Sequence, residues 1–159
     1  GDKLVAMDVL TSELVDQLSK LDLDKDDSFL DEDAQITNGP WVLVVSSFGL
    51  GKRVPVAQFR LQKRAGMGLK AIKFRIKDDV LVGLKVLGEG EEILLVTEKG
   101  VIVRTNADKI SQQSRAATGV KLQKLDDGDH LAEVVLVPHE QTEEKSQLIE
   151  NENENENGQ

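Results

Sequence analysis

One pattern of residues occurs twice in the sequence, at a spacing of 51 positions. Each copy combines a turn glycine, an arginine shortly after it, and a later run of glutamine, arginine, glycine and lysines. The first copy consists of Gly49, Arg53, Gln62, Arg64, Ala65, Gly68, Lys70 and Lys73, and the second of Gly100, Arg104, Gln113, Arg115, Ala116, Gly119, Lys121 and Lys124. A period of roughly 50 residues, built from short apolar runs and turn glycines, is typical of propeller-like repeats. The recurrence therefore predicts an all-β, propeller-like fold with one small sheet in each repeat.

The positions of the two repeats divide the chain into five parts. They are the closing strand of a preceding blade at 1–10, a short helix and an acidic inter-blade loop at 11–38, complete blades at 39–91 and 92–138, and a disordered acidic tail at 139–159. The tail lacks a core pattern and contains alternating Glu and Asn, a composition that cannot bury enough apolar surface to fold. Because the chain opens without an initiator Met or a signal-peptide pattern, we expect it to be a fragment of a longer protein.

Short apolar runs bounded by turn residues predict the strands of each blade. The predicted strands are Trp41–Ser46, Leu69–Phe74 and Asp79–Leu87 in the first blade, Ile93–Val96, Val120–Leu125 and Asp129–Val137 in the second, and Leu4–Leu10 before them. Gly49 and Gly100 follow the first strand of each blade, where a tight hairpin requires a positive φ. We therefore expect the two blades to begin with equivalent hairpins.

Between the first closing strand and the first blade, the spacing of the apolar residues changes from that of a strand to that of a helix. Leucines spaced for one helical face, with Thr11 or Ser12 as the N-cap, predict a short helix over Thr11–Leu21. The following residues to Asn38 are rich in aspartate and predict a solvated loop. The alternation of carboxylates in Asp22–Asp26 also resembles the start of a calcium loop, although no glycine stands at its sixth position.

The charge of the chain is divided unevenly along its length. The formal net charge is -9, with -8 carried by residues 1–38, +5 by residues 39–137 and -6 by residues 138–159. Nine basic residues and no acidic residue lie between Gly49 and Lys77. A basic body between acidic flanks is more informative about partners than the mean charge.

The repeated cations predict a surface for nucleic-acid phosphate. Equivalent arginines and lysines on adjacent blades would form a belt, and each neutralised phosphate releases condensed counterions. Aromatic residues make up only 3% of the chain, which disfavours base stacking and favours duplex DNA held by its backbone. The predicted DNA-binding residues are Lys52, Arg53, Arg60, Lys63, Arg64, Lys70, Lys73, Arg104, Arg115 and Lys121. The alternatives are a solvated sheet face, a propeller that binds other proteins, and a metal-regulated module built on the acidic loop.

The basic segment resembles a known family. Gly49-x-Gly51-Lys52-Arg53-x-Pro55, Phe59-Arg60 and the run from Arg64 to Lys70 are similar to a repeat of the C-terminal DNA-wrapping domain of the DNA gyrase A subunit. The resemblance implies a six-bladed β-pinwheel whose blades exchange strands and whose basic perimeter wraps duplex DNA. It also implies two partners, the ATPase B subunit and the rest of the A subunit, with ATP and Mg²⁺ used by the holoenzyme, in the bacterial cytoplasm or an organelle. The A-type subunit of topoisomerase IV has a related domain and is the nearest alternative.

The sequence also departs from that family's pattern. The diagnostic heptapeptide of gyrase, Gln-Arg-Arg-Gly-Gly-Lys-Gly, has only a diluted relative in Gln62–Gly68 and a fainter one in Gln113–Gly119. Cleavage of DNA by this family uses a nucleophilic tyrosine, and the chain contains no tyrosine. We therefore expect no catalytic residue, metal site or cofactor in this segment, and no apolar run approaches the roughly 20 residues that span a membrane.

Overall fold

The fold is built on one strand that is buried along its whole length. In the structure, a computed structural model that describes residues 3–19, 39–59, 62, 64 and 66–138, β1 (Trp41–Ser46) has all six residues buried. A β-rich apolar run of this length is suited to a central strand because both of its faces must be covered. β2 (Leu50–Pro55) and β3 (Leu81–Leu87) pair with β1 on either side, both antiparallel.

The second repeat forms an equivalent sheet around its own first strand. β4 (Glu92–Thr97) pairs with β5 (Ile102–Asn106) on one side and with the closing strand β7 (Leu131–Leu136) on the other. A 3₁₀ helix follows the second strand of each sheet, at Val56–Gln58 and Ala107–Lys109. The described residues also include one α-helix, α1 (Ser12–Ser19), which confirms the helix predicted after Leu10.

The two sheets are joined by a strand that leaves its own repeat. β6 (Val120–Lys121) belongs to the second repeat by sequence but pairs antiparallel with β2, so the first sheet has the order β3-β1-β2-β6. The Leu122 amide continues the ladder by donating to the Gly49 carbonyl at 2.8 Å. Gly119, at φ +98°, allows this approach, because a Cβ there would lie 2.7 Å from the Gly51 oxygen.

The core consists of two apolar clusters on opposite faces of β1. One cluster spans both repeats, with Leu43 and Val45 of the first sheet packed against residues of the second sheet such as Ile93 and Leu95. The other belongs to the first repeat and includes Val44 with Val54, Val56 and Ile72. Residues on one face of β1 therefore pack against the second sheet. Residues on its other face pack into the first repeat's own cluster.

Several predicted elements are confirmed and others are wrong. The closing strands are present as β3 and β7, and the hairpin glycines have positive φ, +79° at Gly49 and +84° at Gly100. Residues 4–10 and 69–74 form no strand, and only the first two residues of the predicted 120–125 strand do. The predicted acidic loop with its calcium alternative and the predicted disordered tail lie outside the described residues and stay predictions.

The missing strand at 69–74 has a physical explanation in the exchanged ladder. These residues lie 51 positions before 120–125, and β6 is a strand because it pairs with β2 of the repeat before it. The equivalent partner of 69–74 would be the second strand of a still earlier repeat, and the described residues before 39 contain no strand. Ile72 nevertheless packs into the core of the first blade.

Candidate nucleic-acid interface

Lys52 lies inside the molecule, although the sequence predicted that it contacts phosphate. Its ammonium donates hydrogen bonds to the carbonyl oxygens of Ser114 at 2.7 Å, Arg115 at 2.7 Å and Ala117 at 2.8 Å, and the residue is 0% exposed. Burial, together with the nearby positive charge of Arg115, lowers the pKa of Lys52 to about 8. The prediction that Lys52 binds DNA is therefore corrected, because a buried ammonium with three carbonyl acceptors is a structural group.

Arg53 is also occupied within the protein. Its guanidinium donates to the Ile110 carbonyl and to both the side chain and the carbonyl of Asp108, at 2.9, 3.0 and 3.0 Å. The same group lies 4.6 Å from the ring centroid of Trp41, and its side chain is only 12% exposed. These contacts correct the prediction for Arg53, because they bind the first repeat to the second and leave little of the guanidinium for DNA.

Arg104, the repeat equivalent of Arg53, remains on the surface. Its side chain is 61% exposed and forms an ion pair with Glu92 on the neighbouring strand. Part of its charge is thus neutralised within its own sheet, which weakens the prediction that it holds phosphate. The two arginines occupy equivalent positions in sequence but make different contacts: Arg53 reaches the following repeat, and Arg104 pairs with Glu92 in its own sheet.

Residues 111–119, named here the junction loop, bring the cations of the two repeats together. The guanidinium of Arg115 donates to the Lys70 carbonyl at 3.2 Å, and the Lys73 amide donates to the Ala117 carbonyl at 3.2 Å. Arg115 is half-buried, whereas Lys70 and Lys73 are exposed. Among the described residues, no carboxylate forms an ion pair with either lysine. We name Lys70, Lys73 and Arg115 the junction cations.

Further predicted cations lie on the surface beside these three. Arg64 and Lys121 are exposed, and so are three cations on the same segments that the predicted set left out. They are Arg75, Lys77 and Lys124. Their signal was present in the unbroken basic composition of 49–77 and in the repeated lysine at 124. Arg60 and Lys63 lie outside the described residues, so their predicted contacts stay predictions.

Sequence reasoning missed a pair of equivalent buried carboxylates that close the hairpins. Asp79 accepts hydrogen bonds from the Ser47 hydroxyl at 2.9 Å and the Phe48 amide at 3.1 Å. Asp129 accepts from the Lys99 amide at 3.2 Å and the His130 amide at 2.9 Å. Both aspartates stand directly before the closing-strand core, and that repeated position was the available signal.

The hydrogen bonds to Asp129 also determine its titration. Burial by itself raises the pKa of this carboxyl, but hydrogen bonds from the Thr97 side chain and from the Lys99 and His130 amides outweigh it. The pKa of Asp129 therefore lies below its ordinary value. In the folded protein this carboxylate is ionised. The hydrogen bonds that it accepts, named here the hairpin lock, hold the second hairpin in place.

The described part of the chain contains neither a cluster of metal-ligating side chains nor a membrane-spanning helix. No three His, Asp or Glu side chains within it are grouped so that they could hold a metal ion. None of its helices has the length and apolar character needed to cross a membrane.

The two described sheets are antiparallel and repeat in sequence, and an exchanged strand joins them. Cations of both repeats meet at the junction loop. These features define a repeat protein of the β-propeller class with a basic surface between its repeats. The sequence matches the family described as "DNA gyrase C-terminal domain, beta-propeller" over residues 40–87 and 91–138, and the chain belongs to this family. This membership confirms the predicted resemblance and the predicted all-β fold class.

Curated relatives of the chain agree with the family match. The DNA gyrase A subunit of Synechocystis sp. is 46% identical over 158 residues, which cover 96% of this chain and 18% of that protein. The chloroplastic/mitochondrial DNA gyrase A subunit of Arabidopsis thaliana is 33% identical over 162 residues, covering 95% and 16%. The chain thus spans less than a fifth of the length of these relatives.

Solved structures with the same fold are also known. The C-terminal domain of DNA gyrase A superposes with a TM-score of 0.58 at 32% identity, over 65% of this chain and 35% of that chain. The C-terminal domain of DNA topoisomerase IV superposes with a TM-score of 0.57 at 24% identity, over 64% and 31%, a likeness that shows the fold alone. The higher identity favours gyrase A over the topoisomerase IV alternative.

Proposed function

We propose that this chain binds duplex DNA by its phosphate backbone, as part of the DNA-wrapping domain of a gyrase A subunit. The observation that carries the proposal is the junction loop, where Lys70 and Lys73 of one repeat lie beside Arg115 of the next. Exposed lysines that pair with no carboxylate of the described residues can neutralise phosphates, and cations from adjacent repeats extend the contact along one duplex.

The residues proposed for phosphate contact differ from the predicted set in a defined way. Lys52 and Arg53 hold the repeats together, and Arg104 pairs with Glu92. The exposed or half-buried members form the proposed surface, and Arg60 and Lys63 are kept in it from their position in the basic segment. The proposed surface comprises Arg60, Lys63, Arg64, Lys70, Lys73, Arg115 and Lys121.

Recognition by charge rather than by base stacking follows from the composition of this surface. Proteins that bind single strands stack bases on aromatic side chains, and the chain has only four Phe and one Trp. Trp41 is buried beneath Arg53 and therefore offers no stacking face. We accordingly propose that binding depends little on base sequence and strongly on salt.

A matched pair of charge deletions tests the proposal. Fluorescence anisotropy of a labelled duplex, measured over a series of salt concentrations, gives the affinity and its salt slope for each protein. Lys70→Ala combined with Lys73→Ala should weaken binding and lower the slope by roughly 0.9 for each lost phosphate contact. The control, Lys3→Ala combined with Lys109→Ala, removes the same charge from exposed positions outside the proposed surface. Equal losses in both double variants would show that net charge alone attracts DNA and would overturn the proposed surface.

The wider setting of the chain follows from its relatives and is part of the same proposal. The chain would act with the ATPase B subunit, together with the rest of its own A subunit, guiding DNA during ATP-dependent supercoiling. The ATP and Mg²⁺ that this implies belong to other regions of the holoenzyme, and the proposal requires neither group here. Relatives from bacteria and from a chloroplastic/mitochondrial protein support a site of action in the bacterial cytoplasm, at the nucleoid, or in an organelle.

A further inference from the structure

Most of the hydrogen bonds that attach the junction loop to the first blade use main-chain atoms of the loop. The Arg53 amide donates to the Ser111 carbonyl at 3.0 Å, and the Gln113 amide donates back to the Arg53 carbonyl at 2.9 Å. The Arg115 amide donates to the side-chain oxygen of Gln58 at 3.1 Å. The three bonds from the Lys52 ammonium complete this attachment from within the blade.

Carbonyl oxygens of the junction loop connect the buried Lys52 to the exposed lysines. The oxygen of Ala117 accepts the Lys52 ammonium at 2.8 Å and the Lys73 amide at 3.2 Å. The adjacent Arg115 is held by Lys52 at its carbonyl and reaches the Lys70 carbonyl with its guanidinium. The position of Lys52 thus bears on Lys73 through the Ala117 carbonyl, and on Lys70 through the main chain and side chain of Arg115.

We propose that Lys52 is a positioning residue for DNA binding, which fixes from inside the first blade the spacing at which the junction cations meet the phosphates. The inference rests on the proposed function, because it assumes that these cations contact DNA. Lys52 itself touches no DNA, since it is fully buried. Its effect passes through the carbonyls of Ser114, Arg115 and Ala117.

The chemistry of the site suits a lysine in particular. An ammonium is a compact donor of three hydrogen bonds and accepts none, so it satisfies three carbonyl oxygens that converge on one point. The equivalent position 51 residues later is Val103, which carries no such donor. The three hydrogen bonds from Lys52 to these carbonyl oxygens, named here the Lys52 clasp, are therefore specific to this boundary between repeats. The repeat pattern itself does not require them.

The experiment removes the ammonium and keeps an unbranched side chain as long as the lysine stem. Lys52→Met is compared with the original chain by duplex anisotropy over a salt series and by hydrogen exchange of the Lys73 amide. The matched control is Leu95→Ala, because Leu95 is also 0% exposed and packs in the apolar cluster that includes no residue of the junction loop or of the segment with Lys70 and Lys73. Trp41 fluorescence confirms that each variant is folded at the temperature of the binding measurement.

The positioning role predicts a change in binding that a loss of stability alone would not produce. For Lys52→Met we expect faster exchange of the Lys73 amide and a salt slope reduced by roughly 0.9 for each junction cation that leaves its phosphate. Folded Leu95→Ala should keep the original slope. A folded Lys52→Met with unchanged affinity and slope would overturn the inference.

Two further outcomes remain decisive. If Lys52→Met does not fold, Lys52→Gln carries the test, because its amide keeps a hydrogen-bond donor in the buried position but is too short and has too few hydrogens to supply all three carbonyl oxygens. An unchanged slope in that variant would count against control of the cations by the loop. If the original chain binds no duplex, the proposed function fails first, and an unaltered exchange rate of the Lys73 amide in Lys52→Met would separately reject the clasp.

Discussion

The guanidinium of Arg53 lies 4.6 Å from the centroid of the Trp41 ring, and the two residues come from neighbouring strands of the first sheet. The same guanidinium extends to Asp108 in the following repeat. The Trp41 indole in turn donates to the side chain of Gln112, also in the following repeat, at 2.7 Å. Arg53 and Trp41 together therefore fasten the first blade to the second.

Loss of the Arg53 contacts should affect stability more than DNA binding. Arg53→Gln removes the stacked charge and its bonds to the second repeat, and we expect the free energy of unfolding to fall by about 2 kcal/mol. Urea denaturation, followed by circular dichroism, gives the stability, and duplex anisotropy gives the salt slope. The slope should stay unchanged because this guanidinium holds no phosphate.

The exposed equivalent of Arg53 provides the control. Arg104→Gln removes the same charge from a surface pair with Glu92, and such pairs contribute roughly 0 to 1 kcal/mol. Its stability should therefore stay close to that of the original chain. A larger loss for Arg104→Gln than for Arg53→Gln would contradict the assignment of Arg53 as the fastener between blades.

Two glycines test the exchanged strand separately from turn conformation. Gly119 and Gly100 both have positive φ, +98° and +84°, so alanine is strained at either position. A Cβ at Gly119 would also meet the Gly51 carbonyl oxygen at 2.7 Å, whereas nothing lies within 4 Å of one at Gly100. We expect Gly100→Ala to cost about 1 kcal/mol and Gly119→Ala clearly more, as measured by thermal unfolding. Equal costs would mean that β6 does not approach β2 this closely.

The repeated pattern in the sequence was sufficient to predict much of this architecture. Strand periodicity and turn glycines identify the blades because apolar runs and positive φ are local properties. The pairing of 120–121 with β2 is a contact between repeats, which no local pattern reveals. The same limit explains the error at 69–74, where the side chains suit a strand but the described chain offers no partner.

The candidate site was harder to predict than the fold. Charged side chains are expected at the surface, so the sequence placed Lys52 and Arg53 among the phosphate contacts. Their burial depends on three converging carbonyls and on an aspartate, all supplied by the next repeat. Such partners become visible only when the repeats are placed side by side. Lys70 and Lys73, which lack these partners, are exposed as predicted.

The hairpin lock at Asp129 predicts a defined response to acid. Its pKa in the folded state lies below the ordinary value of 3.8, so the carboxylate stabilises the fold above that pH and loses its effect as the pH falls through the lowered value. Asp129→Asn should therefore reduce the free energy of unfolding near neutral pH. The gap to the original chain should then narrow below about pH 4. Urea denaturation at several pH values measures the gap, and the exposed Asp126→Asn is the control.

The buried ammonium of Lys52 predicts that the stability of the chain changes at alkaline pH. Its pKa is about 8 in the folded chain and 10.5 in the unfolded one, so between these values the unfolded state binds more protons. The contribution of Lys52 to the free energy of unfolding must then rise as the pH increases across this window.

The chain has no Tyr and no Cys, so the other lysines and the terminal amine are the groups that also titrate there, and a Lys52→Met variant retains all of them. We therefore expect the stability of the original chain, relative to that of Lys52→Met, to be constant below pH 8 and to increase above it. Chemical denaturation at matched pH values measures this difference, with Lys109→Met correcting for the loss of one exposed positive charge. A difference that stayed flat across the window would show that the three carbonyl oxygens keep Lys52 protonated throughout.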